Sequence, residues 1–119
     1  MNQIRNADAD SKNSVCVCRK EDLIPNSGIC TLMGDEQIAI FYLPAEDPVV
    51  YGISNWDPIG HANVLSRGIV GDIGGELVVA SPLYKQHFSL TSGKCLEQEE
   101  ISVKTFQLVL DGTAVLLQC

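Results

Sequence analysis

Nowhere does the chain hold a 3.6-residue apolar period long enough for a major helix; short apolar stretches alternate instead with turn residues at close intervals. That pattern restricts the fold to the all-β class, a barrel or sandwich of short strands. Residues 15–18, 29–33, 38–43, 49–54 and 76–80 read as strands, with 38–43 and 49–54 forming a hairpin across Pro44 to Pro48. Residues 19–23 read as a short helical turn or loop before the turn Pro25-Asn26-Ser27-Gly28. The clearest local signal is at the end. Residues 105–110 alternate, Asp111-Gly112 supplies the two positive-φ positions of a type I′ turn, and 113–117 pairs back.

A length of 119 residues is one domain's worth of polypeptide, so a two-domain enzyme is not expected. Residues 1–13 are polar and unpatterned and read as a mobile tail, leaving 14–119 as a single domain. With 8 Lys and Arg against 15 Asp and Glu the formal charge is −7, and the basic residues are scattered. A phosphate backbone needs a clustered cationic face, so nucleic acid is not an expected partner. The longest apolar run, 38–43, has six residues, far short of the ~20 that cross a membrane. The first residues lack the apolar region of an export signal, and the default location is cytoplasmic.

The five cysteines, at 16, 18, 30, 95 and 119, lack the paired spacing of a zinc site or a disulfide framework. Cys16 and Cys18 would share one strand face and read as two small core residues rather than ligands. Cys119 reads as an exposed thiol.

Between 55 and 75 the pattern loosens around glycines at 60, 68, 71, 74 and 75, and so long a loop in a small domain tends to be functional. Two irregular loops are framed in a particular way. The first reads Ile53-Ser54-Asn55-Trp56-Asp57-Pro58-Ile59, followed by Leu65-Ser66-Arg67-Gly68. The second leaves the strand Val78-Val79-Ala80 as Ser81-Pro82-Leu83-Tyr84-Lys85-Gln86-His87 and ends in Phe88-Ser89-Leu90-Thr91-Ser92-Gly93. This order of strands and proline-bearing loops resembles the Rieske domain over nearly all of 14–118. The resemblance implies a Rieske-like fold of small antiparallel sheets with two protruding loops. In that family the loops carry Cys-x-His and Cys-x-x-His, which hold a [2Fe–2S] cluster.

Carried over residue by residue, the cluster-ligand positions are Asp57 and Ile59 in the first loop and Ser81 and Tyr84 in the second. Ile59 has no donor atom, and the other three offer hard oxygens ill suited to an iron–sulfide core. No cofactor is therefore expected in this chain. A Rieske-like domain with these loops, and with Gly34-Asp35-Glu36-Gln37-Ile38-Ala39-Ile40-Phe41, resembles the small subunits of bacterial NAD(P)H-dependent nitrite reductases. That resemblance implies a partner, the large subunit, carrying flavin, an iron–sulfur cluster and sirohaem and reducing nitrite to ammonium in nitrate and nitrite assimilation. The small chain is then non-catalytic, assisting assembly or stability. A Rieske-type ferredoxin-like electron carrier and a free-standing binding module are the other readings of the same scaffold.

On the subunit reading Asn55, Trp56, Pro58, Tyr84, Lys85 and His87 form one surface tip that docks on the partner; on the plainer reading these are solvated turn residues. Trp56 reads either as an interface anchor or as core packing. Arg67 is placed to pair with Asp57 or Asp72 and hold the loop. A lone histidine such as His61 or His87 is most simply a hydrogen-bonded loop residue. The run Glu97-Gln98-Glu99-Glu100 reads as a solvated edge, or as a feature that steers the chain toward a basic patch.

Overall fold

The computed structural model of the protein describes residues 14–118; the tail expected over 1–13 and the thiol of Cys119 lie outside the described residues. The strands, in chain order, are β1 (Ser14–Arg19), β2 (Ser27–Met33), β3 (Glu36–Tyr42), β4 (Val50–Ser54), β5 (Trp56–Asp57), β6 (Ala62–Asn63), β7 (Ile69–Ile73), β8 (Glu76–Ala80), β9 (His87–Ser89), β10 (Thr105–Phe106), β11 (Leu108–Asp111) and β12 (Ala114–Gln118). Single 3-10 turns lie at Lys20–Asp22 and Leu65–Arg67. The fold is the expected all-β class of small antiparallel sheets, ordered β10-β4-β3-β2, β1-β12-β11, β7-β8-β9 and the two-stranded β5-β6.

The unbroken apolar run 38–41 has a simple cause: β3 lies inside its sheet, between β2 and β4, and both of its faces are covered. Alternate side chains of a strand point to opposite faces. Ala39 and Phe41 therefore join Ile53, Leu65, Val79 and Phe88 in one core, while Ile38 and Ile40 join Val50, Leu108, Val115 and Leu117 in another. Each buried aliphatic side chain stabilises by about 1.5–3 kcal/mol. The central sheet is thus clamped from both sides. The β1-β12-β11 sheet closes the second core, and the β7-β8-β9 sheet with the 65–67 turn closes the first. Both irregular loops leave from the side of the first core, one between β4 and β7 and the other between β8 and β9.

Several local expectations need correction. Residues 69–73, expected within the loose segment, form β7, paired with β8 from Ile69↔Ala80 to Ile73↔Glu76. Gly74 and Gly75, at φ 60° and 92°, are the two-residue turn that joins them. The terminal hairpin pairs as expected, but Asp111 faces Ala114, so its turn is Gly112-Thr113 and only Gly112, at φ 62°, is left-handed. One positive φ at the first turn position fits type II′ rather than type I′. The strand expected over 105–110 breaks at Gln107, with β10 pairing to β4 and β11 crossing to the β12 sheet. In β1, Cys16 faces Leu116 and Cys18 faces Val115, so Val17 is an extra residue in a bulge. Cys16 is exposed while Cys18 packs on the second core, and the two thiols are not the pair of core residues expected. Burial, helped by Asp22 and Cys16, pushes the Cys18 thiol up to about 11, which keeps it protonated and a poor ligand.

A candidate docking tip

The first loop is anchored by Asn55, which is 2% exposed. Its Nδ2 donates to Gln37 Oε1 at 2.9 Å, and its Oδ1 accepts the Ser66 N–H at 2.7 Å. Its backbone N–H donates to the Gln37 carbonyl at 2.9 Å, and its carbonyl accepts the Leu65 N–H at 3.1 Å. With every polar group bonded inward, Asn55 brackets the loop to β3 and the 65–67 turn. It cannot be part of a docking surface, contrary to expectation.

Past this bracket, β5 and β6 form a miniature hairpin, Trp56 facing Asn63 and Asp57 facing Ala62. The Asp57 carboxylate organises its turn, since Oδ1 accepts the N–H groups of Ile59 at 2.8 Å and Gly60 at 2.9 Å, the usual way an aspartate mimics backbone in a tight turn. Its Oδ2 accepts the Ser81 hydroxyl of the second loop at 2.5 Å. Asp57 and Ser81 are each 1% exposed. A carboxylate taken so completely out of water is tolerable only with such charge-assisted bonds.

Ser81 in turn folds the second loop: its Oγ accepts the Leu83 N–H, its N–H donates to the Gln86 carbonyl, and its carbonyl accepts the Lys85 N–H. Lys85 sits at φ 63° to close that turn. The loops touch as well as bond. A Cβ on Gly60 would lie 2.4 Å from Leu83 Cδ1 and 3.1 Å from Asp57 Oδ2, so a side chain there would have to displace Leu83.

The four positions carried over from the Rieske ligands are therefore used otherwise. Asp57 and Ser81 bond directly to each other, Ile59 packs against the first core, and the Tyr84 side chain stands in solvent. A hydroxyl donating to a carboxylate at 2.5 Å leaves no space for a cluster between them, and the oxygens present are the wrong donors for one. The residues do not fit a [2Fe–2S] centre. Among the described residues no three His, Cys, Asp or Glu side chains group as metal ligands would.

Outside the staple, the tip is exposed and apolar. Trp56 is 42%, Leu83 44% and Tyr84 66% exposed, so Trp56 is a surface residue and not core packing. Its ring meets the His61 ring edge-on at 6.1 Å. Pro58 is half-buried, and Lys85 is exposed. Leu83, which the sequence reading passed over, is the apolar neighbour of Tyr84; its place after a proline in an irregular loop was the available signal.

His87 is half-buried at the foot of the second loop. Its Nδ1 lies 2.6 Å from Glu97 Oε2, and its N–H donates to Glu97 Oε1 at 2.8 Å. Burial pushes the Glu97 carboxyl up, but the hydrogen bonds from His87 outweigh it and hold the group below its ordinary range. Glu97 is thus tied down and not simply part of a solvated edge. Arg67 is exposed and pairs with neither Asp57, whose oxygens are taken, nor Asp72, whose Oδ1 accepts the Gly75 N–H.

A family model of the Rieske-like [2Fe–2S] domain matches residues 13–118. The chain is 48% identical over 101 residues to the nitrite reductase (NADH) small subunit of Escherichia coli (strain K12), covering 84% of this chain and 93% of that protein. It is 36% identical over 99 residues to the nitrite reductase [NAD(P)H] large subunit of Klebsiella oxytoca, covering 83% of this chain but 10% of that protein. The solution structure of the nitrite reductase [NAD(P)H] small subunit from Erwinia carotovora matches with a TM-score of 0.74 at 42% identity, over 90% of this chain and 82% of that one.

Proposed function

This chain belongs to the Rieske-like [2Fe–2S] domain family, and on that premise we propose that it is the non-catalytic small subunit of a cytoplasmic NAD(P)H nitrite reductase. Nitrite is reduced to ammonium, for assimilation, on the large subunit, which holds the flavin, the iron–sulfur centre and the sirohaem. The small subunit assists that protein's assembly or stability by docking its two-loop tip through Trp56, Pro58, Leu83 and Tyr84. The direct Asp57–Ser81 bond carries the reading: it joins two of the positions carried over from the Rieske ligands without a metal between them, and the tip around it stays exposed. The Klebsiella relationship supports it from another side: a stretch similar to this chain lies within a far longer large-subunit polypeptide. Exposed aromatic and leucine side chains around a rigid point suit an interface anchor.

The test is co-expression with the sirohaem-bearing large subunit. The two should co-purify, deletion of this chain should lower nitrite reduction in cells, and the isolated chain should contain no stoichiometric iron and no visible iron–sulfur absorption. Failure to co-purify, with nitrite reduction unaffected by deletion, would overturn the subunit assignment. A stoichiometric iron–sulfur spectrum would return the chain to the electron-carrier class.

A further inference from the structure

Beside the tip runs a groove of about 440 Å³, walled by Arg67, Ile69, Ala80, Pro82, Lys85 and His87. The chain carries −7, and two of its exposed cations sit in ion pairs, Arg19 with Glu21 and Lys104 with Glu36. The groove brings two unpaired ones together. Arg67 and Lys85 have no carboxylate partner among the described residues, and His87, farther along the wall, is engaged by Glu97. The groove is also apolar where it meets solvent, since Ile69 is 78% exposed. It crosses one end of the β7-β8-β9 sheet, where Ile69, Ala80 and His87 are register partners, and β7, which starts at its rim, is an edge strand that pairs with β8 on one side and with no strand on the other among the described residues. Such an edge presents free backbone donors and acceptors to an added segment.

Resting on the subunit reading, we infer that this groove receives an extended acidic segment of the large subunit, its carboxylates meeting Arg67 and Lys85 in the groove and its chain continuing past Ile69 onto the free edge of β7. A guanidinium recognises a carboxylate through two parallel hydrogen bonds, and complementary charge of this kind sets register and speeds encounter. The opposite end of β7 carries Asp72, with Glu76 following the turn, both exposed. Those carboxylates repel an acidic segment, so the acidic positions of the partner lie at the Ile69 end and apolar or neutral ones at the Ile73 end. Gly68 keeps the groove floor in place: a Cβ there would lie 2.3 Å from the Ala80 carbonyl oxygen.

The experiment is calorimetric titration of the full chain into the purified large subunit. The Arg67→Glu/Lys85→Glu variant should bind at least tenfold more weakly, and its affinity should respond less to added NaCl than that of the wild type. Lys94→Glu makes the same kind of charge change outside the groove and should stay within threefold. Arg67→Ala/Lys85→Ala is the second variant should charge reversal perturb folding, and it should lose affinity in the same direction. Wild-type affinity in the groove variants, with Lys94→Glu unaltered, would overturn the groove while leaving the subunit reading intact. No binding by the wild-type chain would overturn the subunit reading itself. Saturable binding of nitrite to the chain alone, or a dimer of the free chain in sedimentation that Arg67→Glu dissolves, would each overturn the acidic-segment proposal by giving the groove another occupant.

Discussion

The two loops of the tip sit side by side and are joined by a hydrogen bond, yet they use their side chains in opposite ways. The first turns its polar groups inward: Asn55 and Asp57 are buried and bonded to β3, to the 65–67 turn and to the second loop. The second buries only its first residue, Ser81, and presents Pro82 to Lys85 to solvent. One loop holds the shape and the other shows it. Substitutions should divide accordingly, with stability lost in the first loop and binding lost in the second.

The largest effect should come from Asp57→Ala. It strands the N–H groups of Ile59 and Gly60 and the Ser81 hydroxyl, and each buried group left unpaired costs about 1–3 kcal/mol. A loss of roughly 3 kcal/mol or more is expected in urea unfolding, with Tm lower by on the order of 10 °C. In a double-mutant cycle with Ser81→Ala the two losses should be non-additive by about 0.5–3 kcal/mol. Additive losses would mean that the loops are not stapled to each other.

Tyr84→Ala should do the reverse. Unfolding should shift by less than about 0.5 kcal/mol, while affinity for the large subunit falls by more than about 1 kcal/mol. Equal affinity would make Tyr84 a bystander and erase the contrast between the loops.

The smallest expected effect is the pH response of the Glu97–His87 pair. The Glu97 carboxyl lies below its ordinary value of 4.5 in the folded chain, so its stabilisation is present above that pH and disappears as pH falls through the lower folded value. Glu97→Gln should therefore be less stable than wild type near neutrality, by about 0.2–1 kcal/mol for so exposed a pair. The gap should close in acid. A gap independent of pH would show that the charge on Glu97 does not carry the stabilisation.

The sheets were largely legible in the sequence because their signals are local. The run 38–41 announces a strand covered on both faces, and the alternation before Asp111 announces the terminal hairpin. β7 was not read because its glycines suggested a loop, although Gly74-Gly75 between Ile73 and Glu76 is itself a two-residue hairpin turn. The site was legible as to which loops and not as to which way they face. Sequence places Asn55 and Trp56 next to each other but cannot show that one points into the core side and the other into solvent. Nor could it show that Asp57 and Ser81, 24 residues apart, meet; proximity of that kind is a product of how β4, β7 and β8 pack.

The Asp57–Ser81 bond also bears on how the tip comes into being. Both partners are side chains of the same polypeptide, and their meeting requires only that the first core has formed beneath them. Closure of the tip through this bond is thus a step of chain folding itself, complete once the sheets are packed. Whatever loosens the packing of the sheets will accordingly blunt the tip as well.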